Sequence, residues 1–140
     1  MITITQLQRD NLLEAKKMWL TVPEANVSYR LSAWRISPDK NSAPDCNTIS
    51  CFGGWCAWYP AFRDQGLKAS IVGGPEFATR TSDVIASYDA SYRLFGLYEM
   101  FVSRGAVRNR GIFCSETEAG SDWQIVMNRI DSALANTVTL

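Results

Sequence analysis

Four cysteines are the side chains best suited to covalent or metal chemistry, and three fall close together, at Cys46, Cys51 and Cys56, with Cys114 far downstream. There is no histidine in the 140 residues. That rules out Ser-His-Asp and Cys-His nucleophilic catalysis, imidazole proton shuttling and mixed Cys/His zinc sites. Residues five apart on a helix are turned about 140° from each other and separated by about 7.5 Å of rise. Cys51 and Cys56 therefore diverge, beyond the roughly 7 Å Cα separation a disulfide tolerates. Cys46 precedes the helix, which leaves open one bridge to Cys114, while packing of reduced thiols is the preferred alternative. A thiolate at Cys51 or Cys46 near a helix start would need Asp45 or a lysine as its helper. No phosphate-binding glycine loop, acidic metal signature or nucleophile elbow is present. The sequence assigns no catalytic residue, no metal ligand and no cofactor.

The second chemical concentration is Arg104, Arg108 and Arg110, on a stretch flanked by Gly105 and Gly111. Guanidinium groups so placed suit a phosphate or an acidic protein surface, whereas the common alternative is a solvated turn. Fourteen basic residues balance fourteen acidic ones. A chain with no net charge exerts no global attraction on nucleic acid, so nucleic acid is not the expected partner, even with Arg80 added to the three arginines. Trp58 and Tyr59 are the aromatic candidates for a contact surface.

The element that positions most of these groups runs from Ile49 to Trp58, with Thr48 as its expected N-cap and Pro60 as its stop. Ile49, Phe52 and Cys56 share one helical stripe, and Cys51, Trp55 and Trp58 another, so the helix is apolar on most sides and must be buried. Gly53 and Gly54 each cost about 1 kcal/mol relative to alanine inside a helix. Close packing of a neighbour against the bare backbone is the preferred offset, and a ligand lying there is the sharper alternative.

The rest of the chain supplies further helices. Thr5 caps Gln6 to Leu20, with Leu7, Leu12, Ala15 and Trp19 facing inward, Lys16 and Lys17 on the wet side, and Pro23 marking the end. Val27 to Ile36 alternates as a short strand would, or lies as an irregular segment over the core, and 37–45 is a loop. Ala61 to Gly66 adds a turn of helix carrying Phe62, and Lys68 to Pro75 is a loop or one short strand. A helix is expected from Asp83, broken near Gly96 into Asp83 to Leu94 and Leu97 to Ser103. Val84, Tyr88 and Ser91 or Tyr92 make one stripe, and Leu97, Met100 and Phe101 face the core. Ile112 to Cys114 returns inward. Ser121 with Gln124 forms a capping box ahead of a last helix with Trp123, Val126, Met127, Ile130 and Leu134 on its core face and a frayed end at 136–140.

With 46 % apolar and 20 % charged residues, the composition is that of an ordinary globular protein. The expected architecture is one mainly α domain over 1–140, with short β-strands at most, built around the buried central helix. The N-terminus lacks the basic flank and apolar run of a signal peptide, and no stretch nears the 18 or so apolar residues of a membrane span, so a cytoplasmic location is expected.

Several of these residues, taken in order, carry a likeness. Tyr29, Leu31 and Trp34, then Cys46-Asn47-Thr48-Ile49-Ser50-Cys51-Phe52-Gly53-Gly54-Trp55, then Phe95-Gly96 with Met100-Phe101, and finally Arg129-Ile130 follow one another along the chain. The chain resembles a family of small bacteriophage and prophage proteins whose hallmark is Cys-Gly-Thr-x-x-Cys-x-x-Gly-Trp/His. The hallmark glycine is Asn47 here, a residue that also tolerates left-handed backbone angles. The resemblance transfers no activity to any residue. It implies a phage or prophage origin, a place in the cytoplasm of an infected bacterium, and a host or phage protein as partner. A non-enzymatic binding protein that modulates a host enzyme or blocks a defence complex is the function expected on these grounds.

Overall fold

The computed structural model describes residues 2–22, 49–69, 75–78, 84–86, 88–102 and 112–140, with the side chains of 49–51, 69, 84 and 86 left aside. Helices hold more than half of these residues, so the protein is mainly α over its described part.

Helix α1, Gln6–Leu20, begins where expected. Thr5 and Gln8 form a reciprocal capping box, the Gln8 amide N–H donating to Thr5 Oγ1 at 3.1 Å and the Thr5 amide N–H to Gln8 Oε1 at 2.9 Å. Its inward face is Asn11, Leu12, Ala15, Met18 and Trp19. Leu7 does not join them: it is exposed, and Ile4 is the apolar residue buried at this end. Asn11 is buried because its amide is fully used, donating to the carbonyl of Leu94 at 2.8 Å and exchanging bonds with the Gln65 amide.

Helix α2, Ile49–Trp58, ends as the proline dictates, with Tyr59 extended at φ −67° and ψ 127° and Pro60 opening α3, Pro60–Arg63. Phe52 is the hub of the core. Its ring lies edge-on to Trp19 at 5.3 Å, stacks with Phe95 at 6.3 Å and tilts against Phe101 at 5.6 Å. Gly53 is buried and Gly54 half-buried, and α2 packs against the last helix and a small sheet.

That sheet, a three-stranded antiparallel one, goes beyond the loop or one short strand expected over Lys68 to Pro75. Strands β2 (Leu67–Ala69), β3 (Pro75–Ala78) and β4 (Val84–Ala86) lie in that order. Leu67 pairs with Phe77 and Phe77 with Ile85, which lines one face with apolar residues. Lys68 and Glu76 pair across the strands at 3.8 Å. The helix expected from Asp83 is therefore corrected: its first turn is β4, where the β-branched Val84 and Ile85 pair with β3. Helix α4 spans only Tyr88–Phe95. Its buried residues are Ala90, Ser91, Leu94 and Phe95, so Tyr88 and Tyr92 face away from the core rather than along it.

The break at Gly96 is real, with φ +76°. Residues 97–102 are then turns and bends, not a second helix, although Leu97, Met100 and Phe101 are buried as expected. Helix α5, Asp122–Ala135, starts at Ser121, whose Oγ accepts from the Gln124 amide at 3.2 Å. This is the side-chain half of the expected capping box, and Gln124 Nε2 donates onward to Asn128 Oδ1 at 2.9 Å. The segment expected to fray instead makes β5 (Thr137–Val138), parallel to β1 (Ile2–Thr3), with the Ile4 amide donating to Val138 at 2.9 Å. Trp19 and Trp123 lock the far ends of α1 and α5. The Trp19 indole N–H donates to the Trp123 carbonyl at 3.0 Å, and the Trp123 indole N–H to the Val22 carbonyl at 2.7 Å.

Candidate functional site: a tyrosine-lined groove

The outward face of α4 carries Tyr88 and Tyr92, one turn apart. Beyond Gly96 the chain turns back and presents Tyr98, whose ring stacks on Tyr92 with centroids 4.3 Å apart and planes at 17°. With Ile2 of β1, Leu97, Glu99, Ile112 and Phe113, these tyrosines line an open cavity of about 580 Å³. Leu97, Ile112 and Phe113 are buried, while Tyr88, Tyr92 and Tyr98 each remain 46–48 % exposed. The volume falls within the usual range of ligand pockets, and the lining suits apolar contact and ring stacking.

The walls of this groove are irregular backbone held by buried polar side chains. Ser91 Oγ donates to the Leu97 carbonyl at 2.5 Å and accepts from the Met100 amide at 3.2 Å. Arg129 of α5 is fully buried, and its guanidinium grips the Glu118 carboxylate through both Nε and Nη2. Its Nη1 donates to the carbonyls of Val102 at 2.6 Å and Glu99 at 3.3 Å. One turn later Ser132 Oγ donates to the Ile112 carbonyl at 2.5 Å, so α5 holds chain on both sides of the groove. Such a buried cation is tolerated because each face of the guanidinium fork has an acceptor.

Of the side chains singled out in the sequence, those that are described lie elsewhere. Trp58 is half-buried and edge-on to Trp55 at 5.4 Å and 88°. Tyr59, also half-buried, donates its hydroxyl to Glu14 Oε2 at 3.0 Å, and Lys17 Nζ meets the other oxygen of Glu14 at 3.1 Å. These bonds, that of Lys17 first, hold the Glu14 carboxyl below its ordinary value, while burial and then the Glu14 contact push the Tyr59 phenol up. Neither Trp58 nor Tyr59 lines the groove. Arg104, Arg108, Arg110, Cys46 and Thr48 lie outside the described residues, as does the side chain of Cys51.

Of the thiols that are described, Cys56 is fully buried and burial pushes its pKa well up, which suits a packing group and not a nucleophile. Cys114 carries a free thiol that donates to Glu116 Oε2 at 2.7 Å, and Cys46, the partner that the sequence left open for it, lies outside the described residues. That bond is the first cause holding the Glu116 carboxyl below its ordinary value. Among the described residues no three His, Cys, Asp or Glu side chains gather as metal ligands would, and no helix is long and apolar enough to cross a membrane.

The sequence hides the groove because helical spacing puts Tyr88 with Ser91 or Tyr92 on one stripe and Tyr98 on a helix, Leu97 to Ser103, that does not form. The signal present was the density of tyrosine between 88 and 98, a residue type common at contact surfaces. No family model, no curated protein and no solved structure matches this chain.

Proposed function

We propose that this chain is a non-enzymatic binding protein, that the tyrosine-lined groove is its contact surface, and that its partner is a protein inserting an apolar or aromatic side chain there. The observation that carries this is three half-exposed tyrosines grouped around a buried apolar floor. Aromatic anchors of this kind dominate protein contacts because they bury much area at little cost in side-chain entropy. Among the described residues the groove's lining brings stacking surface, phenol hydroxyls and one carboxylate, from Glu99, and no paired acid and base.

The likeness of the Cys46 to Trp55 stretch to small phage proteins supports a partner met in the cytoplasm of an infected bacterium, a host enzyme or a defence complex. The test is affinity capture from such cells, followed by reconstitution with the purified partner. Tyr92→Ala and Tyr98→Ala are expected to weaken the complex by at least about tenfold, as hot-spot residues do. Trp58→Phe and Tyr59→Phe serve as controls away from the groove, and alanine variants of Arg104, Arg108 and Arg110 test the arginine stretch in the same assay. Failure to capture any stoichiometric partner, or full affinity in both groove variants, overturns the proposal.

A further inference from the structure

The groove's stacked pair joins a helix residue to a residue on irregular backbone. Tyr92 belongs to α4, whereas Tyr98 sits on the turn beyond Gly96, where the positive φ ends regular structure. A turn of this kind has few backbone bonds of its own to fix its orientation. Ser91, the neighbour of Tyr92, is fully buried, and its one hydroxyl meets both ends of the turn: it donates to the Leu97 carbonyl at 2.5 Å and accepts from the Met100 amide at 3.2 Å. Tyr98 lies between those two anchor points.

We propose that Ser91 is the positioning residue of the groove, its hydroxyl setting Tyr98 over Tyr92 so that the tyrosine wall stands ready before a partner arrives. This rests on the groove being a contact surface. Both hydroxyl bonds go to backbone, so they fix the turn whatever the side chains on it do. The stacking of two half-exposed rings follows from that placement and does not cause it. Arg129 also reaches this wall, through the carbonyls of Glu99 and Val102, so Ser91 ties the turn at Leu97 and Met100, on either side of Tyr98, while Arg129 holds the Glu99 carbonyl and the residues that follow. A preformed aromatic wall loses little freedom on binding, which is how such a residue raises affinity without touching the partner.

The experiment uses the full chain and nuclear magnetic resonance. In the native protein the ring protons of Tyr98 should be displaced by the Tyr92 ring, and the Met100 amide should exchange slowly. In Ser91→Ala the Tyr98 ring signals are expected to move toward those of a free tyrosine and the Met100 amide to exchange about tenfold faster, the loss one hydrogen bond accounts for. The Trp19 indole signal should stay in place. A merely destabilising change would leave the native shifts of Tyr98 untouched, and that result overturns the proposal.

Tyr92→Leu separates cause from consequence without touching the core. Retained Met100 protection in that variant supports the hydroxyl as the anchor, and lost protection overturns it. Titration with N-phenyl-1-naphthylamine, a neutral aromatic fluorophore, tests the underlying reading separately. Binding that shifts Tyr98 and weakens about tenfold in Ser91→Ala supports both, whereas absence of any shift in the native protein counts against the groove as a contact surface and leaves the Ser91 comparison decisive on its own.

Discussion

Arg129 is the residue on which the described structure places most polar demand. It is fully buried, paired with Glu118 and bonded to two main-chain carbonyls, so replacing it leaves a carboxylate and two acceptors without their donor. Arg129→Met is expected to cost about 3–5 kcal/mol in urea denaturation, because breaking one half of a buried pair leaves the other half uncompensated. Adding Glu118→Gln should restore part of the loss, and a double-mutant cycle measures how much. Lysine is no substitute, since a single ammonium cannot reach the carboxylate in bidentate fashion and the carbonyls beside it.

At the surface the same chemistry weighs less. Glu14 is held below its ordinary 4.5 by Lys17 and Tyr59, so its share of stability is in place above that value and is lost as pH falls through the lower native one. Tyr59 runs the other way: its phenol is raised above 10.0, and its share is in place below that value and lost as pH rises through the native one. In Tyr59→Phe the Glu14 carboxyl should titrate closer to 4.5 by NMR, with a stability change below about 1 kcal/mol because Glu14 is solvated. For the thiols, iodoacetamide should label Cys114 well before Cys56, whose sulfur is sealed in the core and kept protonated. Equal labelling in the native protein, read by mass spectrometry, would contradict the packing role of Cys56.

At the scale of elements, Gly96 decides where α4 stops and the groove wall begins. Its φ of +76° is one that side chains disfavour, and an added Cβ would lie 2.5 Å from Ile4 Cγ2 and 2.8 Å from Gln8 Oε1. Those two residues are themselves committed, Ile4 to the core and Gln8 to the α1 capping box and the Tyr92 carbonyl. Gly96→Ala should therefore lower the denaturation midpoint by the equivalent of about 1–3 kcal/mol with an unchanged slope. Several element boundaries were plain in the chain beforehand, for local reasons. The Thr5 and Ser121 caps, Pro60 and Gly96 each act within one turn of their own position. The strands were not plain, since Leu67, Phe77 and Ile85 acquire meaning only as a cross-strand set and each flanking segment is three or four residues long.

For the molecule as a whole, the first and last described segments are coupled through β1 and β5, and that coupling reaches the groove because Ile2 lines it. Removing residues 137–140 should free the Ile4 amide, now bonded to Val138, so that its hydrogen exchange accelerates. The same truncation should loosen the Ile2 side of the groove and weaken whatever contact the tyrosines make, while the Trp19 and Trp123 lock at the opposite ends of α1 and α5 persists. If the Ile4 amide exchanges at its original rate, the strand pair is not what holds the N-terminal segment.

Taken alone, the amino-acid order determined the helical periodicity, the caps, the proline stop at Tyr59 and Pro60 and the inward role of Phe52, because each follows from neighbours within a few residues. It also excluded histidine-based chemistry outright. Only the tertiary structure decided that Val84 and Ile85 form a strand, that Arg129 joins the Glu118 carboxylate to the Val102 carbonyl, and that Tyr88, Tyr92 and Tyr98 converge on one groove. Those outcomes depend on partners from separate segments, where the pairing of distant backbone groups outweighs local preference, and no window of sequence contains both halves of the bond.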